Sequence, residues 1–88
     1  MFTVAWSPSA TNQLADVWMN ADSVQRLTIT RYVEQLDRHL RANADRIGES
    51  RTPGIRVLTD GPIGLDIRVS EPDWLVTVVR VWFIPSRN

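Results

Sequence analysis

The chain has 88 residues, 43% of them hydrophobic and 23% charged, and its ten basic residues balance ten acidic ones. This is the composition of an ordinary globular domain, which excludes disorder and collagen-like repeats, and the zero net charge gives no overall field toward nucleic acid. The absence of cysteine excludes disulfide scaffolds, cysteine-based zinc sites and thiol catalysis. No apolar run reaches the roughly 18 residues of a membrane span, and the first residues lack a secretory signal. We therefore expect one soluble, cytoplasmic domain over residues 1–88.

The chain opens with a predicted strand and helix. Residues 2–6 are rich in aromatic and β-branched side chains, which are typical of a strand. Ser7 followed by Pro8 is the pattern of a helix N-cap with proline in the first turn. We expect this first helix to end near Asn20.

A second, longer helix is predicted from Asp22 onward. Asp22 and Gln25 have the spacing of a capping box. The helix then carries one apolar stripe, formed by Ile29, Val33, Leu36 and Leu40. Val24 and Leu27 point away from that stripe, so we expect them to contact the first helix and close a helical hairpin.

The second half of the chain predicts a loop and three strands. Glycine and proline in residues 48–54 indicate the loop, and the strands are residues 55–59, 63–70 and 74–84. Short turns join these strands, which requires antiparallel neighbours. The predicted fold is therefore α+β with the order β-α-α-β-β-β. A four-stranded antiparallel sheet has the helical hairpin on one face, and its last strand pairs with its first.

The hairpin can cover only one face of this sheet, and we call the other the open face. Alternation in residues 63–70 places Asp66 and Arg68 there. In the last strand the polar Arg80 is expected to lie on the open face. Alternation then places Trp74, Val76, Val78 and Trp82 on that face as well. It predicts Leu75, Val79, Val81 and Phe83 inward. If Ile55 and Val57 pack inward, then Arg56 and Leu58 also lie outside.

Arginines beside large apolar groups indicate an interaction surface. The candidate binding residues, which include one arginine near the C-terminus, are Arg56, Arg68, Trp74, Arg80, Trp82 and Arg87. The alternative is that loops or a second copy of the chain cover this face, and the sequence leaves the oligomeric state open.

Few residues suit catalysis. His39 is the only histidine and Tyr32 the only tyrosine, and both fall on the second helix, behind the predicted sheet. The chain has no glycine-rich phosphate loop, nucleophile elbow or two-histidine metal pair, so no metal or cofactor is predicted. Only the arginines could hold phosphate groups.

Three segments resemble the RelE/ParE superfamily, the toxins of bacterial type II toxin–antitoxin modules. They are FTVAWSPSATNQLADVW at the start, GESR at residues 48–51 and IRVLTDGPIGLDIRVSEPDWLVTVVRVW in the last third. The resemblance covers nearly the whole chain. It implies the β-α-α-β-β-β fold and a cognate antitoxin whose helix-forming segment covers the functional surface.

Two activities occur in that superfamily. Ribonucleases resembling RelE cut mRNA on the ribosome and often have an arginine near the start of the strand where this chain has Gly64. They also commonly have a tyrosine or histidine near the C-terminus, which this chain lacks. Members resembling ParE are described as poisons of DNA gyrase and need no such set. The resemblance therefore favours a ParE-like toxin over a RelE-like endoribonuclease or a non-toxic binding module of the same fold.

Overall fold

The computed structural model describes residues 1–85 and contains two helices and five strands within them. In chain order these are β1 (Thr3–Trp6), α1 (Pro8–Met19), α2 (Ser23–Asn43), β2 (Glu49–Thr52), β3 (Ile55–Leu58), β4 (Ile63–Ser70) and β5 (Leu75–Phe83). The predicted α+β class, with a helical hairpin on one face of a sheet, is confirmed. Neither helix in this part of the chain is long and apolar enough to cross a membrane.

The sheet has the strand order β1-β5-β4-β3-β2. Neighbouring strands from β2 to β5 are antiparallel, but β1 runs parallel to β5, with Thr3 beside Leu75 and Trp6 beside Val78. The prediction of an antiparallel sheet is wrong for this pair. Short turns fix the direction only of strands that follow each other directly, and β1 is separated from β5 by both helices and three strands.

The predicted count of four strands is also wrong, because residues expected to be a loop form β2. Its side chains are all exposed and polar, so the strand has no apolar alternation that the sequence could reveal. It is an edge strand that pairs only with β3, across a turn in which Gly54 has a φ of +82°. Backbone pairing, and not burial, defines it.

Both predicted helix starts are confirmed. The Ser7 hydroxyl accepts a hydrogen bond from the amide of Ala10 at 3.0 Å. Asp22 accepts from the amide of Gln25 at 2.8 Å, and the Gln25 side chain accepts from the amide of Asp22 at 2.9 Å, which completes the capping box. These local contacts fix where the hairpin begins and where it reverses.

The core lies between the hairpin and one face of the sheet. Its fully or nearly buried members include Ala10, Ile29, Leu36, Leu40, Ile63, Leu65, Ile67, Val76, Val78 and Val81. Val24 and Leu27 were expected to contact α1, but they are 73% and 51% exposed. The α2 stripe itself serves both the sheet and α1, because Ile29 is buried in the core and also lines the groove between the helices.

Candidate binding site on the open face of the sheet

A β-bulge determines which side chains of β5 reach the open face. Asp66 pairs with Arg80 but Ile67 pairs with Val78, so Val79 is an extra residue in β5. The bulge reverses the alternation of side chains along the strand. Arg80 and Trp82 therefore lie on the open face together with Asp66 and Gly64, their partners on β4.

The same bulge overturns part of the prediction for β5. Val76 and Val78 were expected on the open face, yet both are fully buried in the core. Leu75, expected inward, pairs with Ser70 on the open face. A strict period of two, counted back from Arg80, crosses the bulge and assigns every residue before it to the wrong side.

Helix α1 holds the chain just after the bulge. Strand β1 ends at Trp6, beside Val78, so the last part of β5 extends beyond its parallel neighbour. There the backbone amide of Val81 donates to Oε1 of Gln13 at 2.7 Å. This hydrogen bond ties the backbone between Arg80 and Trp82 to the helical layer.

Four neighbouring residues on the open face form a group that we call the Arg80 cluster: Gly64, Asp66, Arg80 and Trp82. The guanidinium carbon of Arg80 lies 5.1 Å from the centroid of the Trp82 ring, and Nη1 of Arg80 lies 3.9 Å from Oδ2 of Asp66. The indole of Trp82 lies directly over Gly64, where any side chain would collide with it. The Arg80 side chain remains 65% exposed, so its donors are accessible to a partner.

Arg68 extends the cluster along β4. It lies two residues beyond Asp66 on the same face and its side chain is exposed. By the register of the sheet, Ile55 and Val57 lie beside Arg68 and Asp66. The open face thus combines two exposed guanidinium groups with one indole and aliphatic neighbours, a composition found at protein interfaces.

Arg56 does not belong to this face, and its predicted placement is wrong. It pairs with Ile67, whose side chain is in the core, so Arg56 shares the helix-covered face. Its Nε donates to the carbonyl of Ile47 at 2.6 Å and its Nη2 to that of Gly48 at 3.0 Å. Leu58, also predicted outside, is 4% exposed in the core. At this edge the Arg56 guanidinium donates to backbone carbonyls after α2 and does not extend from the open face into solvent.

Trp74 is also displaced from the predicted site. It lies in the turn between β4 and β5, and its ring centroid is 5.1 Å from that of Phe2, which belongs to the core on the helix side. Arg87 lies outside the described residues. The structure therefore brings together Arg68, Arg80 and Trp82 of the six predicted binding residues.

The side chains able to transfer protons lie elsewhere. Tyr32, His39 and Asp60 line a cleft of about 380 Å³ between α2 and the β2–β3 edge. The Tyr32 hydroxyl donates to Oδ1 of Asp60 at 3.3 Å. Burial, followed by the charge of Asp60, raises the pKa of Tyr32 to about 12. The phenol therefore keeps its proton at neutral pH, and its helix lies on the opposite side of the sheet from the Arg80 cluster.

No motif in the sequence indicates this cleft, because the β3–β4 turn that completes it is brought to α2 only by the tertiary fold. The Tyr32 ring packs against Gly61, where a Cβ would collide with it. Within residues 1–85, no group of three or more acidic or histidine side chains could hold a metal ion.

Comparisons with known proteins identify the class of fold. The chromosomal ParDE toxin–antitoxin system of P. aeruginosa includes a chain that is 21% identical, with a TM-score of 0.70 over 97% of this chain and 98% of that one. A chain of the RelBE2 toxin–antitoxin complex of Mycobacterium tuberculosis is 20% identical, with a TM-score of 0.73 over 97% and 93%. The isolated E. coli RelE toxin is 15% identical, with a TM-score of 0.64 over 99% and 88%.

The chain therefore has the fold of the ParE and RelE toxin structures, as the resemblance of its sequence implied. No family model matches the sequence. No curated protein matches it significantly either. ParE-type and RelE-type structures both match along almost the whole chain, so the likeness does not separate the two subtypes.

Proposed function

We propose that this protein is the toxin of a type II toxin–antitoxin module and that its cognate antitoxin covers the Arg80 cluster and Arg68. The observation that carries the proposal is the match of 97% of the chain to toxin–antitoxin structures. We further propose that residues 1–88 form one domain that acts in the bacterial cytoplasm without a cofactor.

The open face has the chemistry that an antitoxin segment would need. The two guanidinium groups offer planar donors that pair with carboxylates, and the Trp82 indole is a large anchor of the kind that dominates interface energies. The Arg80–Asp66 pair is long, at 3.9 Å, and its Arg80 side chain is exposed, whereas Asp66 is partly buried. Such a pair contributes little on its own, so Arg80 can exchange Asp66 for an acidic side chain of the antitoxin at small cost.

For the cellular target we favour DNA gyrase, as for ParE-like toxins, over ribosome-bound mRNA. A ribonuclease needs a proton donor and acceptor within hydrogen-bond reach of the scissile phosphate. In the part of the chain that the structure describes, the open face contains no phenol or imidazole, and Tyr32 and His39 lie on α2. Guanidinium groups remain protonated at physiological pH and cannot serve as a base.

One observation favours the second candidate, a RelE-like endoribonuclease. Arg68 and Arg80 are exposed on the same face, two ladder positions apart, and could hold neighbouring phosphates of an RNA strand. The gyrase poison and the endoribonuclease make opposite predictions for gyrase supercoiling and for ribosome-bound mRNA. A third, a non-toxic binding module, predicts no effect on either.

The test is to express the chain without an antitoxin and then assay the purified protein on gyrase supercoiling and on ribosome-bound mRNA. We expect growth arrest and inhibited supercoiling with intact mRNA. Arg80→Ala should relieve the inhibition, whereas Arg31→Ala, which removes an exposed arginine from α2, should not. Cleavage of mRNA that is abolished by Arg68→Ala would establish the ribonuclease instead. No arrest and no effect in either assay would overturn the toxin proposal.

A further inference from the structure

A second concave site lies at the other end of the sheet, on its helix side. The end of α2 and the β4–β5 turn enclose a cleft of about 550 Å³. Phe2 and Trp74 supply its aromatic side, and Asp45, Arg46 and Glu71 are its charged members. Trp74 is 55% exposed, so much of its indole faces the cleft and solvent and not the core.

The backbone of Trp74 is held in an unusual conformation. Its φ is +49°, and it is the one residue other than glycine with a positive φ in residues 1–85. Its amide donates to the carbonyl of Glu71 at 3.1 Å, which closes the turn. Glycine adopts a positive φ without steric cost, whereas a residue with a bulky side chain is strained there. The Trp74 carbonyl accepts from the amide of Thr3 at 2.7 Å, so the turn also supports the pairing of β1 with β5. The indole itself stays half exposed among the residues that line the cleft.

The charged groups around Trp74 differ from those around two other tryptophans. Trp18 has the guanidinium of Arg26 at 4.5 Å from its ring centroid, and Trp82 has that of Arg80 at 5.1 Å. In residues 1–85, no such cation lies over Trp74. Neither Asp45 nor Glu71 makes a salt bridge within those same residues. Arg46 also lines the cleft but makes no salt bridge to either carboxylate in the described residues. The indole face and the two carboxylates thus suit a second, planar cation.

We propose that this cleft binds an arginine side chain of a partner polypeptide. The guanidinium stacks on Trp74, and Asp45 and Glu71 accept its N–H groups. The site lies on the helix side of the sheet, apart from the Arg80 cluster. It does not rest on the proposed toxin function, because it needs only these side chains and a polypeptide arginine.

The test is a titration of the isotope-labelled full chain with acetyl-arginine amide, followed through the four tryptophan indole N–H signals in NMR spectra. Acetyl-citrulline amide is the matched probe, because it keeps the shape of arginine and lacks the charge. We expect a saturable shift of the Trp74 signal, with the arginine probe bound at least about fivefold more tightly than citrulline. Equal affinities, or no saturable shift, would overturn the proposal.

Two variants separate binding from folding. Asp45→Asn combined with Glu71→Gln keeps the Trp74 signal and should weaken arginine binding at least about fivefold. Glu34→Gln is the matched control, since it removes an exposed carboxylate outside the cleft. Trp74→Gly should remain folded, because glycine adopts a φ of +49° readily, and should abolish the shifts of backbone amides around Glu71. Undiminished binding by either cleft variant would contradict the assignment.

Discussion

The indole of Trp82 lies over Gly64 so closely that a Cβ at residue 64 would meet the ring. The two residues are direct partners across β4 and β5, so the absence of a side chain at one position makes room for a large one at the other. Gly64 thus has a packing role. It holds Trp82 against the sheet, and the ring in turn supports Arg80.

The first prediction follows from this dependence. Gly64→Ala should destabilise the protein by about 1–3 kcal/mol, because the indole must move from its place. In a Trp82→Ala background the same change should cost nothing or stabilise, since alanine is favoured over glycine in a strand. Urea unfolding of the two single variants and the double variant measures the coupling. Additive effects of the two substitutions would show that the contact is not the cause.

The sequence predicted those features that are fixed by neighbouring residues. Ser7 and the Asp22–Gln25 pair determine where the helices begin, and their contacts span only three residues. The alternation in β4 predicted the outward positions of Asp66 and Arg68, because that strand is regular on both sides of them. These features need no knowledge of the rest of the fold.

The wrong predictions concern side-chain placements that depend on contacts between distant parts of the chain. The bulge at Val79 depends on the register of β5 against β4, and it moves Val76 and Val78 from the open face into the core. Which β3 side chains face the helices depends on the carbonyls after α2 that accept hydrogen bonds from Arg56. Hydrophobicity alone cannot reveal either, since valine and isoleucine occur on both faces of this sheet.

Arg56 gives a second prediction, because its role is structural. Arg56→Ala leaves the carbonyls of Ile47 and Gly48 without their charged donor. We expect a loss of about 1–3 kcal/mol in the free energy of unfolding. Arg51→Ala, at an exposed position on the neighbouring edge strand, should change it by less than about 0.5 kcal/mol. Chemical denaturation of both variants distinguishes them, and equal stabilities would argue against the hydrogen bonds.

Tyr32 gives a prediction of pH dependence. Its pKa is raised to about 12 in the folded chain, from 10.0, mainly by burial and then by Asp60. The folded state therefore holds the phenol proton more tightly than the unfolded state does. The resulting stabilisation is complete below about pH 10 and is lost as the pH rises toward 12. Urea unfolding across this window should show stability falling in the native chain, and Tyr32→Phe should remove that part of the fall.

The titration itself can be read directly, because Tyr32 is the only tyrosine. Phenolate absorbance of the folded protein should develop about two pH units above that of the unfolded chain in denaturant. A phenolate titration with its midpoint near pH 10 in the folded state would mean that Asp60 and the surrounding cleft do not raise the pKa of this hydroxyl.

The last prediction concerns the proposed antitoxin. Trp82→Ala and Arg68→Ala should each weaken its binding by more than about 1 kcal/mol, because one removes an aromatic anchor and the other a charged donor. Arg31→Ala is the control, since it removes the same charge from the surface of α2, and its affinity should remain that of the native chain. Calorimetric titration gives the affinities, and a thermal melt of each variant shows whether it is folded. The Arg68 side chain is exposed, so its loss should leave the melting temperature unchanged. A folded Arg68→Ala variant and a folded Trp82→Ala variant that both bind normally would place the antitoxin away from the open face.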